Sequence, residues 1–139
     1  MKKIITHSEE ETKKIARKIA SEINGEKVIV LNGELGAGKT IFTEGFLSYF
    51  GLEKEISSPT FTIVNEYKGG KIPFYHFDVY RINDDDELYA MGFDDYVQKG
   101  ICVIEWSENI PDSIPSDAYK VTIERVSDNE NARKITIER

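Results

Sequence analysis

The feature that most constrains this chain is the run Gly33-Glu34-Leu35-Gly36-Ala37-Gly38-Lys39-Thr40, which follows the apolar stretch Val28-Ile29-Val30-Leu31 and opens a helical pattern. It matches G-x-x-x-x-G-K-[ST] at every fixed position, in the strand–loop–helix setting that this phosphate loop requires. The glycines let successive backbone N–H groups turn inward and cradle phosphates, and the positive end of the helix dipole points at the same place. Lys39 is predicted to bridge the β- and γ-phosphate oxygens of a nucleotide, and the Thr40 hydroxyl to take one coordination position on Mg²⁺. Gly33, Gly36, Ala37, Gly38, Lys39 and Thr40 are therefore the candidate residues of a nucleoside triphosphate site.

At 139 residues, 40% hydrophobic and 31% charged, the chain fits one domain over 1–139 and is too short for two ordinary ones. No apolar run approaches membrane-spanning length. The start Met1-Lys2-Lys3-Ile4-Ile5 resembles a signal n-region, but His7-Ser8-Glu9-Glu10-Glu11 ends it before any apolar h-region forms. Cys102 is the single cysteine and sits in an apolar run, so it is read as a small buried residue in a reducing cytoplasm. The net charge is −7, with no visible basic stripe. This argues against direct, strong binding of DNA or RNA by the chain alone, although a partner could supply it.

Residues 8–24 read as an amphipathic helix. Ser8 and Glu11 form a capping box, Ile15, Ile19 and Ile23 repeat at helical spacing, and Asn24-Gly25 supplies the stop. A buried strand over 28–32 leads into the phosphate loop. The helix after it, about 39–50, turns Phe42, Phe46, Leu47 and Phe50 to one apolar face, read as core. Strands over 61–67 and 72–79 flank Lys68-Gly69-Gly70-Lys71 and predict a hairpin, with Pro73 near a strand start or an edge. The acidic run after Asn83 reads as a capped helix start broken at Gly92, and a brief helix is expected over 94–98. An apolar strand over 101–105 and a closing antiparallel hairpin, 119–126 with 133–138, complete the chain. The fold class is α/β: a single P-loop NTPase-like domain, its mixed parallel and antiparallel sheet flanked by helices and hairpins.

Hydrolysis of a bound triphosphate needs a second acid near Mg²⁺ and a group to place water. Glu105 ends the apolar strand Ile101-Cys102-Val103-Ile104 and is the candidate metal residue. Asp78 lies between Phe77 and Val79. If those two are core, period-two alternation puts Asp78 and His76 together on the other face. Asp78 then either helps to place water or the Mg²⁺ shell, or is a strand residue paired with Arg81. Ser57-Ser58-Pro59-Thr60 reads either as a loop folding over the γ-phosphate or as an ordinary turn in which Pro59 holds Ser58 extended. Trp106 is either a nucleotide or partner contact, or a core or rim residue. His7 and His76 make no zinc-ligand spacing with Cys102. The chain carries neither Asn-Lys-x-Asp nor Asp-x-x-Gly, the segments of a guanine-selective switch, which favours ATP. Arginines are scarce after the phosphate loop, and no arginine-bearing lid of the small-molecule kinase type is evident.

Taken together, GELGAGKT over 33–40, SPTFT over 58–62, HFDVYR over 76–81, Glu87-Leu88 with Met91-Gly92, and Ile104-Glu105-Trp106 resemble the bacterial TsaE family across roughly residues 5 to 110. The resemblance implies a small cytoplasmic ATPase of the tRNA threonylcarbamoyladenosine pathway. Such a protein works with TsaB and TsaD and meets tRNA only through that complex, with no membrane or DNA partner. It implies ATP and Mg²⁺ as cofactors, Thr40 and Glu105 at the metal, and Lys39, Asp78 and Glu105 as the catalytic set. By position alone it also implies nucleotide contacts from Thr6 or Ser8, before the first helix, and from Arg133, late in the chain. Ile41 stands where a second Thr often follows the GKT, but Thr40 itself is intact. A P-loop phosphotransferase acting on a small metabolite, or a nucleotide-gated binding module without turnover, would use the same loop.

Overall fold

Among the described residues, seven strands join in one mixed sheet of order β1-β7-β6-β2-β5-β4-β3. They are β1 (Lys2–Thr6), β2 (Lys27–Asn32), β3 (Val64–Tyr67), β4 (Phe74–Asp78), β5 (Ile101–Glu105), β6 (Tyr119–Val126) and β7 (Asn129–Glu138). The computed structural model describes residues 2–23, 27–33, 38–51, 64–67, 73–80, 82–126 and 129–138. The expectations placed on 24–25, Gly36 and Ala37, 57–62, 68–72 and Arg81 lie outside the described residues. β2 runs parallel to β5 and β6, and β4 runs parallel to β5. The pairs β1–β7, β6–β7 and β3–β4 are antiparallel.

Side-chain alternation along the strands divides the core in two. Ile29 and Leu31 of β2, Ile101 and Val103 of β5, and Phe74 of β4 face helices α1 (Glu9–Ser21) and α2 (Lys39–Tyr49). Phe42, Phe46 and Leu47 of α2 are buried there, with Phe50 packed against them, as the helical spacing predicts. Val28, Tyr75, Phe77, Cys102 and Ile104 face the other way, toward Leu88 of α3 (Asp85–Ala90) and Phe93 of α4 (Phe93–Lys99). Helices thus cover both faces, which is why β2 and β5 are almost wholly apolar.

The helix starts are set locally. Ser8 Oγ accepts from Glu11 N at 3.1 Å, and Glu11 Oε2 reaches one residue past the cap to accept from His7 N at 2.8 Å, a variant of the capping box. The same device opens α3, where Asp84 Oδ1 accepts from Glu87 N at 2.9 Å and Glu87 Oε2 from Asn83 N at 3.0 Å. Pro73 directly precedes β4, the strand-start position where its missing N–H is tolerated. Cys102 is fully buried. Among the described residues no helix is long and apolar enough to cross a membrane.

Two elements differ from the sequence reading. Lys2–Thr6 is a strand, paired along its whole length with β7, although only Thr6 is buried and no apolar alternation marks it. β7 begins at Asn129 instead of near Arg133: Asn129 pairs with Val126, and a shift of register between Arg125 and Val126 sets that pair apart from the regular ladder, which runs from Arg133 onward.

Candidate active site

The carboxyl ends of β1, β2, β4, β5 and β6 lie along the same end of the sheet, with the amino ends of α2 and β7. In open α/β sheets ligands bind at this end. The last pairing of β6 with β2 joins Thr122 to Asn32, yet β6 continues to Val126. At about 3.3 Å per residue this carries β6 about 13 Å beyond the end of β2. The β6–β7 hairpin forms a wall beside the start of α2, and the wall carries Arg125 opposite Arg133, with Thr6 of β1 next in the row.

Gly38 is the N-cap of α2 with φ +105°, a backbone conformation that disfavours any side chain. A Cβ there would lie 3.4 Å from Arg133 Nε, so the guanidinium of the wall reaches the mouth of the helix. Arg133 Nη1 also donates to the carbonyls of Glu130 and Ala132, at 2.7 and 2.8 Å, which holds the side chain near its own strand. Thr40 is exposed in the first turn of α2. Thr6 Oγ1 is buried and hydrogen-bonded to Thr12 Oγ1 at 2.8 Å, while the Ser8 hydroxyl is engaged in the α1 cap. Arg133 thus neighbours both Thr6, its partner in the β1–β7 ladder, and Gly38, while Ser8 caps α1.

Lys39 and Glu105 meet at the centre. β2 and β5 are adjacent and parallel, with Leu31 opposite Glu105, so the helix that follows β2 brings its first lysine over the end of β5. Lys39 Nζ lies 3.3 Å from Glu105 Oε1, with only 10% and 13% of the two side chains exposed. The other carboxylate oxygen, Oε2, accepts from His76 Nε2 at 2.5 Å. Burial raises the Glu105 carboxyl pKa, but the His76 hydrogen bond and charge, together with Lys39, outweigh it and hold the group below its ordinary value. Glu105 is therefore an ionised carboxylate at neutral pH, with a cation at one oxygen.

Asp78 is opposite Glu105 in the β4–β5 ladder, on the face that also carries His76, as alternation predicts with Phe77 and Val79 buried in the core. Its Oδ1 accepts from Tyr80 N at 3.0 Å, which shapes the turn after β4. Asn109 clamps that turn: its Nδ2 donates to the carbonyls of Val79 and Tyr80, at 3.0 and 3.2 Å. Trp106 takes φ +66°, a left-handed conformation that ends β5 abruptly. Its ring stands 5.0 Å from Lys39 Nζ and 4.8 Å from the Tyr80 ring, at the rim of the site. Beside it a cavity of about 580 Å³ opens between the turn after Trp106 and the β6 wall, bounded by Gly33, Lys39, Trp106, Thr122 and Arg125.

The sequence reading missed two contributors. Nothing in the sequence singles out Asn109, whose amide bridges two loops. Alternation puts His76 on the face it occupies, but its contact with Glu105 spans 29 residues and follows only from the β4–β5 pairing.

The family model described as "Threonylcarbamoyl adenosine biosynthesis protein TsaE" matches residues 6–135 of the chain. The chain is similar to the tRNA threonylcarbamoyladenosine biosynthesis protein TsaE of Bacillus subtilis, 42% identical over 132 residues, covering 94% of this chain and 81% of that one. It is similar also to the protein of the same name from Aquifex aeolicus, 37% identical, covering 100% and 97% of the two chains. Among solved structures, Bacillus subtilis YdiB superposes with a TM-score of 0.79 at 38% identity, over 98% of this chain and 83% of that one.

Proposed function

The chain belongs to the TsaE family of threonylcarbamoyl adenosine biosynthesis proteins, and we propose that it serves that tRNA modification as a Mg²⁺-dependent ATPase acting with TsaB and TsaD. The observation that carries this reading is the meeting of Lys39 and Glu105, 3.3 Å apart where two parallel strands end and α2 begins. A lysine at the amino end of a helix suits phosphate oxygens, and a carboxylate beside it suits a divalent cation.

The donor set fits Mg²⁺. Glu105 and Thr40 would hold it, through a hard carboxylate oxygen and a hydroxyl at the start of α2. Bound there, the ion supplies neutralisation of charge on the β- and γ-phosphates. Lys39 and the first N–H groups of α2 bind and orient the phosphates, and Arg133 adds positive charge from the wall beside Gly38. Asp78 orients the attacking water, a role supported by its position opposite Glu105 in the ladder. The net charge of −7 suits a protein that reaches tRNA through its partners in the cytoplasm, without a basic groove of its own.

A steady-state ATPase assay of the chain alone and with TsaB and TsaD tests this. Slow turnover alone and marked acceleration by the partners is expected. A charge-neutralising group supplied in trans is worth roughly three to five orders of magnitude in other P-loop enzymes. Fast turnover that the partners leave unchanged contradicts the partnership. ATP that binds but is never hydrolysed identifies a nucleotide-gated module, and ADP release driven by a small acceptor identifies a phosphotransferase.

A further inference from the structure

His76 is 7% exposed, a polar side chain on the face of β4 that packs toward α2, and nothing in the ATPase scheme above uses it. A carboxylate can only accept, so His76 Nε2 carries the proton and donates it to Glu105 Oε2 at 2.5 Å. Glu105 Oε1 is left to face Lys39 Nζ at 3.3 Å. The two oxygens of one carboxylate therefore have separate partners, one within the sheet and one at the reacting centre.

We infer that His76 is a positioning residue of this site: it fixes the rotation of the Glu105 carboxylate and presents a single oxygen, Oε1, to the cation that accompanies the nucleotide. The inference rests on the Mg²⁺–ATP reading and deepens it. A glutamate at a strand end turns freely about its last side-chain bonds unless a strong hydrogen bond stops it, and a bond to an ionised carboxylate is of the strong kind. The backbone of His76 is held from both sides, because β4 lies between β3, where Asn65 is its partner, and β5. His76 pairs with Val103 on β5, and Asp78, two residues on, pairs with Glu105, so the imidazole reaches diagonally along the ladder to the end of the neighbouring strand. The Asn109 clamp on the turn after Asp78 fixes the same end of β4. Side chains that orient a metal-holding group in this way typically change metal affinity or activity by 10–100-fold when they are lost.

The test compares the parent with H76Q and H76N. Glutamine can put an amide N–H close to where Nε2 stands, whereas asparagine is one methylene too short to reach Glu105. ATP affinity is measured by calorimetry in EDTA and across a Mg²⁺ titration, with thermal unfolding followed in parallel. H76N is expected to need roughly tenfold more Mg²⁺ or higher for its half-maximal effect, and H76Q to stay within about threefold of the parent. Affinities in EDTA should be alike in all three. H76N titrating Mg²⁺ like the parent overturns the inference alone, as does a loss in EDTA equal to the loss in Mg²⁺, which marks a purely structural histidine. A parent whose ATP binding ignores Mg²⁺ overturns the ATPase reading as well.

Discussion

Two carboxylates end neighbouring strands in different surroundings. Glu105 is tied to Lys39 and His76 and stays charged. Asp78 has one oxygen on the Tyr80 N–H and is half-buried at the lip of the site. Asp78→Asn keeps an acceptor for that N–H and removes the charge, so the turn should survive. We expect ATP affinity within a few fold of the parent and hydrolysis lower by roughly two orders of magnitude or more, the scale of a positioned acid–base group. Normal hydrolysis with a large drop in melting temperature would make Asp78 a structural residue. Cys102 is a contrasting case, since burial pushes its thiol up from 9.0 to about 12. The thiolate is the reactive form, so iodoacetamide at pH 8 should label the unfolded chain and spare the folded one. The folded thiol also ionises later than the unfolded one, so stability should decline as pH rises from about 9 towards 12. Equal labelling of the two states would contradict the burial.

Helix α2 has to serve the site and pack against α1 at once, and Gly45 reconciles the two. A Cβ on Gly45 would lie 2.6 Å from Lys13 Cα and from Lys13 O, both backbone atoms that cannot swing aside. Gly45→Val should therefore push α1 and α2 apart and lower stability by about 1–3 kcal/mol, the usual range for overpacking. Urea unfolding reads this as a lower midpoint at unchanged slope, and an unchanged midpoint would contradict the close approach. The elements that carry their own signals were legible: the Ser8–Glu11 capping box, the capped helix start in the acidic run after Asn83, the apolar face of α2, and the strand from Ile101 to Glu105. β1 was not, because an edge strand with one buried residue takes its register from its partner and needs no hydrophobic pattern.

The site is assembled by the order of the strands across the sheet. Lys39 and Glu105 could be assigned from local patterns, since each closes a motif of its own. The approach of Arg133 to Gly38 was not legible in the sequence, where the family resemblance implied only a nucleotide contact by position, because β7 comes to Gly38 by pairing with β6, which runs past the end of β2. The contact of His76 with Glu105 depends in the same way on β4 joining the far side of β5. Long-range pairing of this kind leaves no trace in any short window of sequence. The proposed function depends above all on Lys39 standing at a phosphate site. The most direct measurement is a calorimetric titration of ATP with Mg²⁺ into the parent and Lys39→Ala. The parent should bind saturably, and the variant should lose a charge-assisted hydrogen bond worth about 1.5–3 kcal/mol, which weakens binding roughly ten- to hundredfold with the fold intact. A parent that does not bind ATP, or a variant that binds it equally well, would contradict the account.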